Sequence, residues 1–276
     1  MSDLPKVTLA NGVEMPTLGL GTSPLSDADT EVIVGAALEA GYRLIDTAEN
    51  YRNEEGVGRA IRSSGVDPAE VFVTTKFNRR WHGVVGAQQA CANSLERLGL
   101  DHIDLLLIHW PNPQQDRYVD AWRGMQALLA DGRVRAIGVS NFKPSHLDRL
   151  AEETGVMPHV NQIQLDPRIA RTTERAYHAE HGIVTESWSP LSASGDVLSE
   201  PVLASIAQAH RKSPAQVVLR WHLQHDLVAI PRTSKPERLP ENLDVFDFIL
   251  DDDEMARIDA LDRGGEGAVD ADRFGH

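Results

Sequence analysis

Several short apolar runs in this chain end in side chains able to do chemistry. Leu44-Ile45 leads into Asp46, Phe72 to Thr75 into Lys76, and Leu105 to Ile108 into His109. Ile137-Gly138-Val139 leads into Ser140-Asn141; Asn161 and Gln162 follow Val160; Ser187-Trp188 and Arg232 follow later runs. Taken singly, each has an ordinary reading: a helix N-cap for Asp46, a solvated rim charge for Lys76, a satisfied core residue for His109. Taken together, an acid, a cation, an imidazole and amides at the same relative place could hold a polar ligand and move a proton.

Such a convergence requires elements that bring the ends of the runs to one place. Strands are expected at Thr17–Gly21, Arg43–Asp46, Val71–Lys76, Ile103–His109, Ala136–Ser140, Val160–Gln164, Ile183–Ser187 and Val228–Pro231. Helical spacing lies between them. Val32, Ile33, Ala36, Ala37 and Ala40 share a face before Gly41; Trp122, Met125 and Leu129 do so before Asp131-Gly132; and Val202, Leu203 and Ile206 precede His210. Pro144, Pro214 and Pro236 sit near helix starts, where a missing N–H costs little. Eight βα units within 276 residues predict a closed (β/α)8 TIM barrel, an α/β fold whose site lies at the C-terminal ends of its strands. The Gly19 and Gly21 pair is too weak a motif for an open dinucleotide-binding sheet. Val7 to Met15 with Asn11-Gly12 at its centre reads as an N-terminal β-hairpin cap. With no linker or low-complexity tract, residues 1–276 read as a single domain, and 264–276 as a tail that is either flexible or folded over the pocket.

Composition narrows the partners. A net charge of −14 argues against nucleic acid and anionic membrane surfaces. Cys91, alone of its type, allows no internal disulfide and reads as a half-buried thiol on a helix over 86–98. Met1 to Gly12 lacks a signal-peptide pattern and the apolar runs are too short to span a bilayer, so a cytoplasmic protein is expected. A monomer is the default. The pairs His178/His181 and His222/His225 lack further ligands at metal-site spacing and read as packing or surface residues, so no metal is expected. Asp251 to Glu254 reads as an acidic helix start that complements the dipole.

The run Gly41-Tyr42-Arg43-Leu44-Ile45-Asp46-Thr47-Ala48, with Tyr51 and Asn53-Glu54, resembles the first signature of the aldo-keto reductase superfamily. Thr74-Thr75-Lys76, His109-Trp110-Pro111, Gly138 to Phe142, Asn161-Gln162 and Ile230-Pro231-Arg232 continue the resemblance, from about Val7 to Leu261. Glu186 to Leu191, Arg220 to Gln224 and Glu241 to Phe248 look most like the bacterial 2,5-diketo-D-gluconic acid reductases.

The resemblance implies NADPH-dependent reduction of aldehydes and ketones, with Tyr51 as general acid, Lys76 as the cation that lowers its pKa, Asp46 as the partner of Lys76, and His109 orienting the carbonyl. Hydride would come from NADPH, since no side chain donates one. Ser140, Asn141 and Gln162 would bind the nicotinamide carboxamide and Trp188 would stack on the ring. Gly21, Thr22, Ser189 and Leu191 would complete that wall. Arg232, Thr233, Ser234 and Arg238 would surround the adenosine 2′-phosphate, with Glu241 and Asn242 at the adenine. Arg232 stands where lysine is commoner in the family. Ser23, Asn78, Trp81 and Trp110 would touch a small carbonyl substrate. Asn78 falls where relatives usually carry tryptophan, Gln164 to Pro167 where Glu-Leu-His-Pro is common, and Ser23 where bulkier residues occur. Two other functions fit part of this pattern: a non-catalytic NADPH-binding interaction protein, and a lyase that uses Lys76 as a Schiff-base amine.

Overall fold

A computed structural model describes residues 4–276; the first three residues of the leading segment Met1–Gly12 lie outside the described residues. The chain opens with a hairpin, β1 (Lys6–Thr8) and β2 (Glu14–Pro16), paired antiparallel. Next come β3 (Leu20–Gly21), α1 (Asp27–Ala40), β4 (Leu44–Asp46), α2 (Glu54–Ser63), β5 (Phe72–Phe77), α3 (Val84–Leu98), β6 (Ile103–Ile108) and α4 (Tyr118–Ala130). The second half holds β7 (Val134–Ser140), α5 (Pro144–Thr154), β8 (Val160–Gln164), α6 (Thr172–Glu180) and β9 (Val184–Trp188). It ends with α7 (Pro201–His210), α8 (Pro214–Gln224), β10 (Val228–Ile230), α9 (Arg238–Leu243) and α10 (Asp252–Asp259).

Strands β3 to β10 pair in parallel, in chain order, as one eight-stranded sheet. The sheet closes on itself: Gly19 N donates to Ala229 O at 2.9 Å, Ala229 N to Thr17 O at 3.0 Å, and Gly21 N to Pro231 O at 3.1 Å. All eight expected strands are present, with ends shifted by a few residues; β3 shortens most, to Leu20–Gly21.

Alternation along the strands sorts side chains into two cores. On β6, Leu106 and Ile108 face the helices with Ile45, Val73 and Phe77, while Leu105 and Leu107 face the barrel axis with Leu44, Phe72, Val160 and Val228. Leu9 and Met15 of the hairpin pack into that axial cluster and stopper the base of the barrel. Asn11 Nδ2 ties the hairpin to Arg135 O at 2.9 Å. Gly138 lies where a Cβ would stand 2.6 Å from Val160 O and 2.7 Å from Leu107 Cδ2, so β7 tolerates no side chain there.

Two expectations need correction, and a third resolves between its alternatives. Cys91 is completely buried rather than half-buried, and burial pushes its thiol up to about 11. On α1 the buried face is Ile33, Val34, Ala37 and Leu38, which leaves Val32 64% exposed. The stripe over 32–40 admits two helical phases, and packing of α1 against α2 selects the other. Of the two alternatives for the tail 264–276, the folded one holds: Val269 N donates to Gln164 Oε1 at 2.9 Å, and Lys143 Nζ pairs with Asp270 at 2.6 Å and Asp272 at 2.5 Å, which lays the segment over the barrel mouth.

The histidine pairs are packing residues. His178 bridges Asn161 and Thr185, both at 2.9 Å, His181 stacks on Tyr177, His222 bonds Val218 O at 2.8 Å, and His225 sits 2.9 Å from Asp259. Asp251 caps α10, its carboxylate accepting from Glu254 N at 2.8 Å. Among the described residues, no helix is long and apolar enough to cross a membrane.

Candidate active site

The alternation that turns Leu44, Val160 and Val184 toward the axis also turns Asp46, Gln162 and Glu186 inward, two residues nearer the mouth. Lys76, two residues beyond Thr74 on β5, joins them. Lys76 Nζ donates to both oxygens of Asp46, at 2.6 and 2.8 Å, and to Thr47 O at 3.0 Å. Tyr51 closes a single helical turn, Glu49–Tyr51, just after β4, and its hydroxyl lies 3.5 Å from the same ammonium. His109 follows β6, with its ring edge-on to Tyr51 at a centroid distance of 5.9 Å.

Burial opposes charge on Lys76, yet Asp46, with further support from Tyr51 and Glu186, outweighs it and holds the ammonium above its ordinary pKa. Burial pushes Asp46 upward against the pull of Lys76 and Gln162, and the two-oxygen contact keeps the pair ionic at neutral pH. Tyr51 departs from expectation: burial raises its pKa above the ordinary value and exceeds the lowering effect of Lys76. The resting phenol therefore holds its proton firmly. His109 is driven well below its ordinary pKa by burial, then by Lys76 and His276, so its imidazole is neutral. Its Nδ1 is buried without a partner, which leaves Nε2 for the cavity.

A cavity of about 350 Å³ opens above this cluster. Gly21, Ser140, Asn141, Gln162, Trp188, Ser189, Leu191 and Arg232 line one side, and Ser23, Tyr51, His109 and Trp110 the other. The polar wall is tied together: Ser140 Oγ donates to Gln162 O at 2.9 Å, and Asn141 Nδ2 to His109 O at 3.1 Å and Ser140 Oγ at 2.9 Å. Trp188 Nε1 donates to Asn141 Oδ1 at 2.9 Å and so fixes the indole along the wall. At Gly21 a Cβ would come 3.1 Å from Ile230 O, so the missing side chain keeps the wall thin.

A second, wider cavity of about 1000 Å³ lies on the other flank of Tyr51, lined by Ser23, Asn50, Arg52, Asn78 and Arg80 among others. Asn78 reaches it, bonded to Asn50 Oδ1 at 2.7 Å. Trp81 lines neither cavity; its Nε1 donates to Glu49 Oε1 at 2.8 Å, and Arg80 pairs with the same carboxylate. Thr22 is buried behind the wall, with Oγ1 donating to Asp46 O at 3.0 Å. Thr233, Ser234, Arg238, Glu241 and Asn242 continue outward from Arg232 onto α9 and do not line the smaller cavity. Thr233 and Asn242 are buried, while Arg232, Ser234, Arg238 and Glu241 are exposed. Among the described residues, neither Arg232 nor Arg238 has a carboxylate within 4.0 Å. Two unpaired guanidinium groups in a chain of net charge −14 mark a place suited to an anion.

Two residues of the site were missed by sequence reasoning. Glu186 is fully buried inside β9, beside Gln162 in register. Its alternation with Val184 and Trp188 was a signal, because parity alone turns it inward. His276 borders both cavities and meets His109 edge-on at 4.8 Å. No local pattern marks it; contacts far apart in sequence place it there, including Arg79 N donating to His276 O at 3.1 Å.

The family model described as the aldo/keto reductase family matches residues 15–263. The chain is 48% identical over 272 residues to morphine 6-dehydrogenase of Pseudomonas putida, covering 94% of this chain and 92% of that one. It is 46% identical over 270 residues to methylglyoxal reductase DkgA of Escherichia coli K12, covering 98% of each. The crystal structure of a Gox0644 variant in complex with NADPH superposes with a TM-score of 0.93 at 43% identity, covering 98% of both chains.

Proposed function

The chain belongs to the aldo/keto reductase family, and from that premise we propose that it reduces aldehydes and ketones to alcohols with NADPH, with Tyr51 as the proton donor. The observation that carries this reading is the meeting of Tyr51, Lys76, Asp46 and His109 beneath one cavity, Lys76 being bonded to Asp46 and 3.5 Å from the phenol.

The cavity walls fit the cofactor. Gln162 uses both amide hydrogens on the carboxyl groups of Asp46 and Glu186, at 2.8 Å each, and leaves its carbonyl oxygen free for a carboxamide N–H. Asn141 Oδ1 keeps a second lone pair beside its bond from Trp188, and the fixed indole offers a flat face to a ring. Arg232 and Arg238 would take the 2′-phosphate with Thr233 and Ser234, and Glu241 and Asn242 would meet the adenine. Gly21, Thr22, Ser140, Ser189 and Leu191 would shape the rest of that wall. When bound, NADPH supplies the hydride.

The protein's own residues handle the proton. Neutral His109 donates from Nε2 to the carbonyl oxygen and turns it toward Tyr51. The phenol keeps its proton at rest, so it is in the form an acid needs. As negative charge grows on the substrate oxygen, Tyr51 passes its proton across, and the ammonium 3.5 Å away stabilises the phenolate left behind. Asp46 keeps Lys76 charged and in place. That pairing argues against Schiff-base chemistry, which needs a free neutral amine. Ser23, Asn78 and Trp110 would contact the substrate, while Trp81 would act through Glu49. The cavity of about 350 Å³ suits small carbonyls, and the cavity of about 1000 Å³, which shares Ser23, Tyr51 and His276 with it, offers room for the remainder of a bulkier one.

Oxidation of NADPH, followed in the near ultraviolet with methylglyoxal, larger aldehydes and cyclic ketones, tests the reading. Tyr51→Phe should lower kcat by roughly 10²–10⁴-fold while NADPH still binds. Undiminished reduction by that variant would remove Tyr51 from the mechanism.

A further inference from the structure

Glu186 has no part in the proton transfer just described, yet it is a carboxyl group at 0% exposure inside the barrel. Its Oε2 accepts from Gln162 Nε2 at 2.8 Å, and its Oε1 is buried without a partner. Gln162 Nε2 gives its other hydrogen to Asp46 Oδ2 at 2.8 Å, the oxygen that also receives Lys76 Nζ. An unbroken line thus runs from Glu186 through Gln162 and Asp46 to Lys76 and Tyr51. The Gln162 amide has one sensible orientation in that line. Reversed, its carbonyl oxygen would face Asp46, a repulsive contact between acceptors.

We infer that Glu186 is a positioning residue: it holds the Gln162 amide so that Oε1 faces the cavity as an acceptor, and its ionisation sets an upper pH limit on carbonyl reduction. The inference rests on the reading of the mouth as an NADPH-dependent reductase site.

The second half follows from charge. With Glu186 protonated, the barrel interior holds the Lys76–Asp46 pair and no net charge. Ionised, it adds one negative charge to a dry space in which Tyr51 must become a phenolate, and like charges disfavour each other there. The charged groups acting on Glu186 are Asp46 from β4 and Lys76 from β5. The flanking strands β8 and β10 carry no titratable side chain. Burial, then Asp46, pushes the Glu186 carboxyl up to about 8, against the pull of Gln162 and Lys76. Tyr51 is held above its ordinary value of 10.0, so its own ionisation comes at higher pH.

The test uses the full chain with Glu186→Gln, which keeps the shape and removes the charge, and Glu186→Leu, which also removes the acceptor. Three quantities are read: the ¹³C titration of the Glu186 carboxyl without NADPH, the NADPH Kd from quenching of tryptophan fluorescence, and the pH profile of kcat with methylglyoxal. We expect a carboxyl that titrates well above the normal glutamate range, and a wild-type kcat that falls with the same apparent pKa. That limb should be absent in Glu186→Gln. The Kd should rise roughly tenfold in Glu186→Leu and less in Glu186→Gln. A limb that survives in Glu186→Gln, or wild-type NADPH affinity in Glu186→Leu, would overturn the inference. If wild-type protein turned over no carbonyl, the proposed function would fail instead, and the carboxyl titration and the Kd series would still decide the role of Glu186. Should Glu186→Leu not fold, Glu186→Gln alone carries the decision.

Discussion

The two flanks of Tyr51 are built in different ways. On one side Ser140, Asn141, Gln162 and Trp188 sit on strands or one step past them, and bond one another at 2.9 Å. On the other side Asn78 and Arg80 come from a loop, and His276 from a tail held by contacts with α5, β8 and the segment after β5. The first flank is rigid because the barrel is closed; the second is a joint product of segments distant in the chain. Cofactor chemistry should therefore be fixed by the wall and substrate choice by the loops.

The severest way to break that contrast is to attack the wall from within. Lys76→Met leaves Asp46 buried without its cation, and should cost about 3–5 kcal/mol of stability in denaturant titration as well as the activity. A stable, active Lys76→Met protein would mean that the interior pair does not organise the wall. Next in size is the outer end of the same flank. Arg232→Ala with Arg238→Ala should weaken NADPH about 10- to 100-fold, measured by fluorescence titration, with little change for NADH. Equal losses for both cofactors would show that these arginines do not read the phosphate.

Removal of residues 264–276 probes the other flank. KM values should shift by about tenfold and reorder among carbonyls, with NADPH affinity held within about twofold. A large loss of NADPH affinity would erase the distinction between the flanks. The smallest effect concerns pH. The folded state holds the Glu186 proton more tightly than the unfolded chain does. Its contribution is thus fully present below about 4.5, declines as pH rises, and is lost above about 8. Glu186→Gln should narrow the gap in Tm between pH 5 and pH 8.5.

The same division governs what could be read in the sequence. Strands and the Asp46–Lys76–His109 set were legible because alternation is local and strand ends are marked by a change from apolar to polar residues. Glu186 escaped because it lies within a strand, where attention to strand ends passes over it. Gln164 and Asp166 depart from the residues common in the resembled family, and what they do is set by partners no motif reveals: Gln164 accepts the tail through Val269 N, and Asp166 accepts Arg168 N at 2.8 Å within its own turn. The resemblance implies a pocket role for Trp81, whereas its indole N–H is turned to Glu49, a partner 32 positions away that no local pattern reveals.

The hairpin at the base has a consequence for access. Leu9 and Met15 complete an axial cluster already filled by Leu44, Phe72, Leu105 and Leu107, so the barrel is solid from its base up to the strand ends. Whatever meets Tyr51 must arrive at the mouth, and the two apolar side chains at the opposite end keep water out of the axis beneath it.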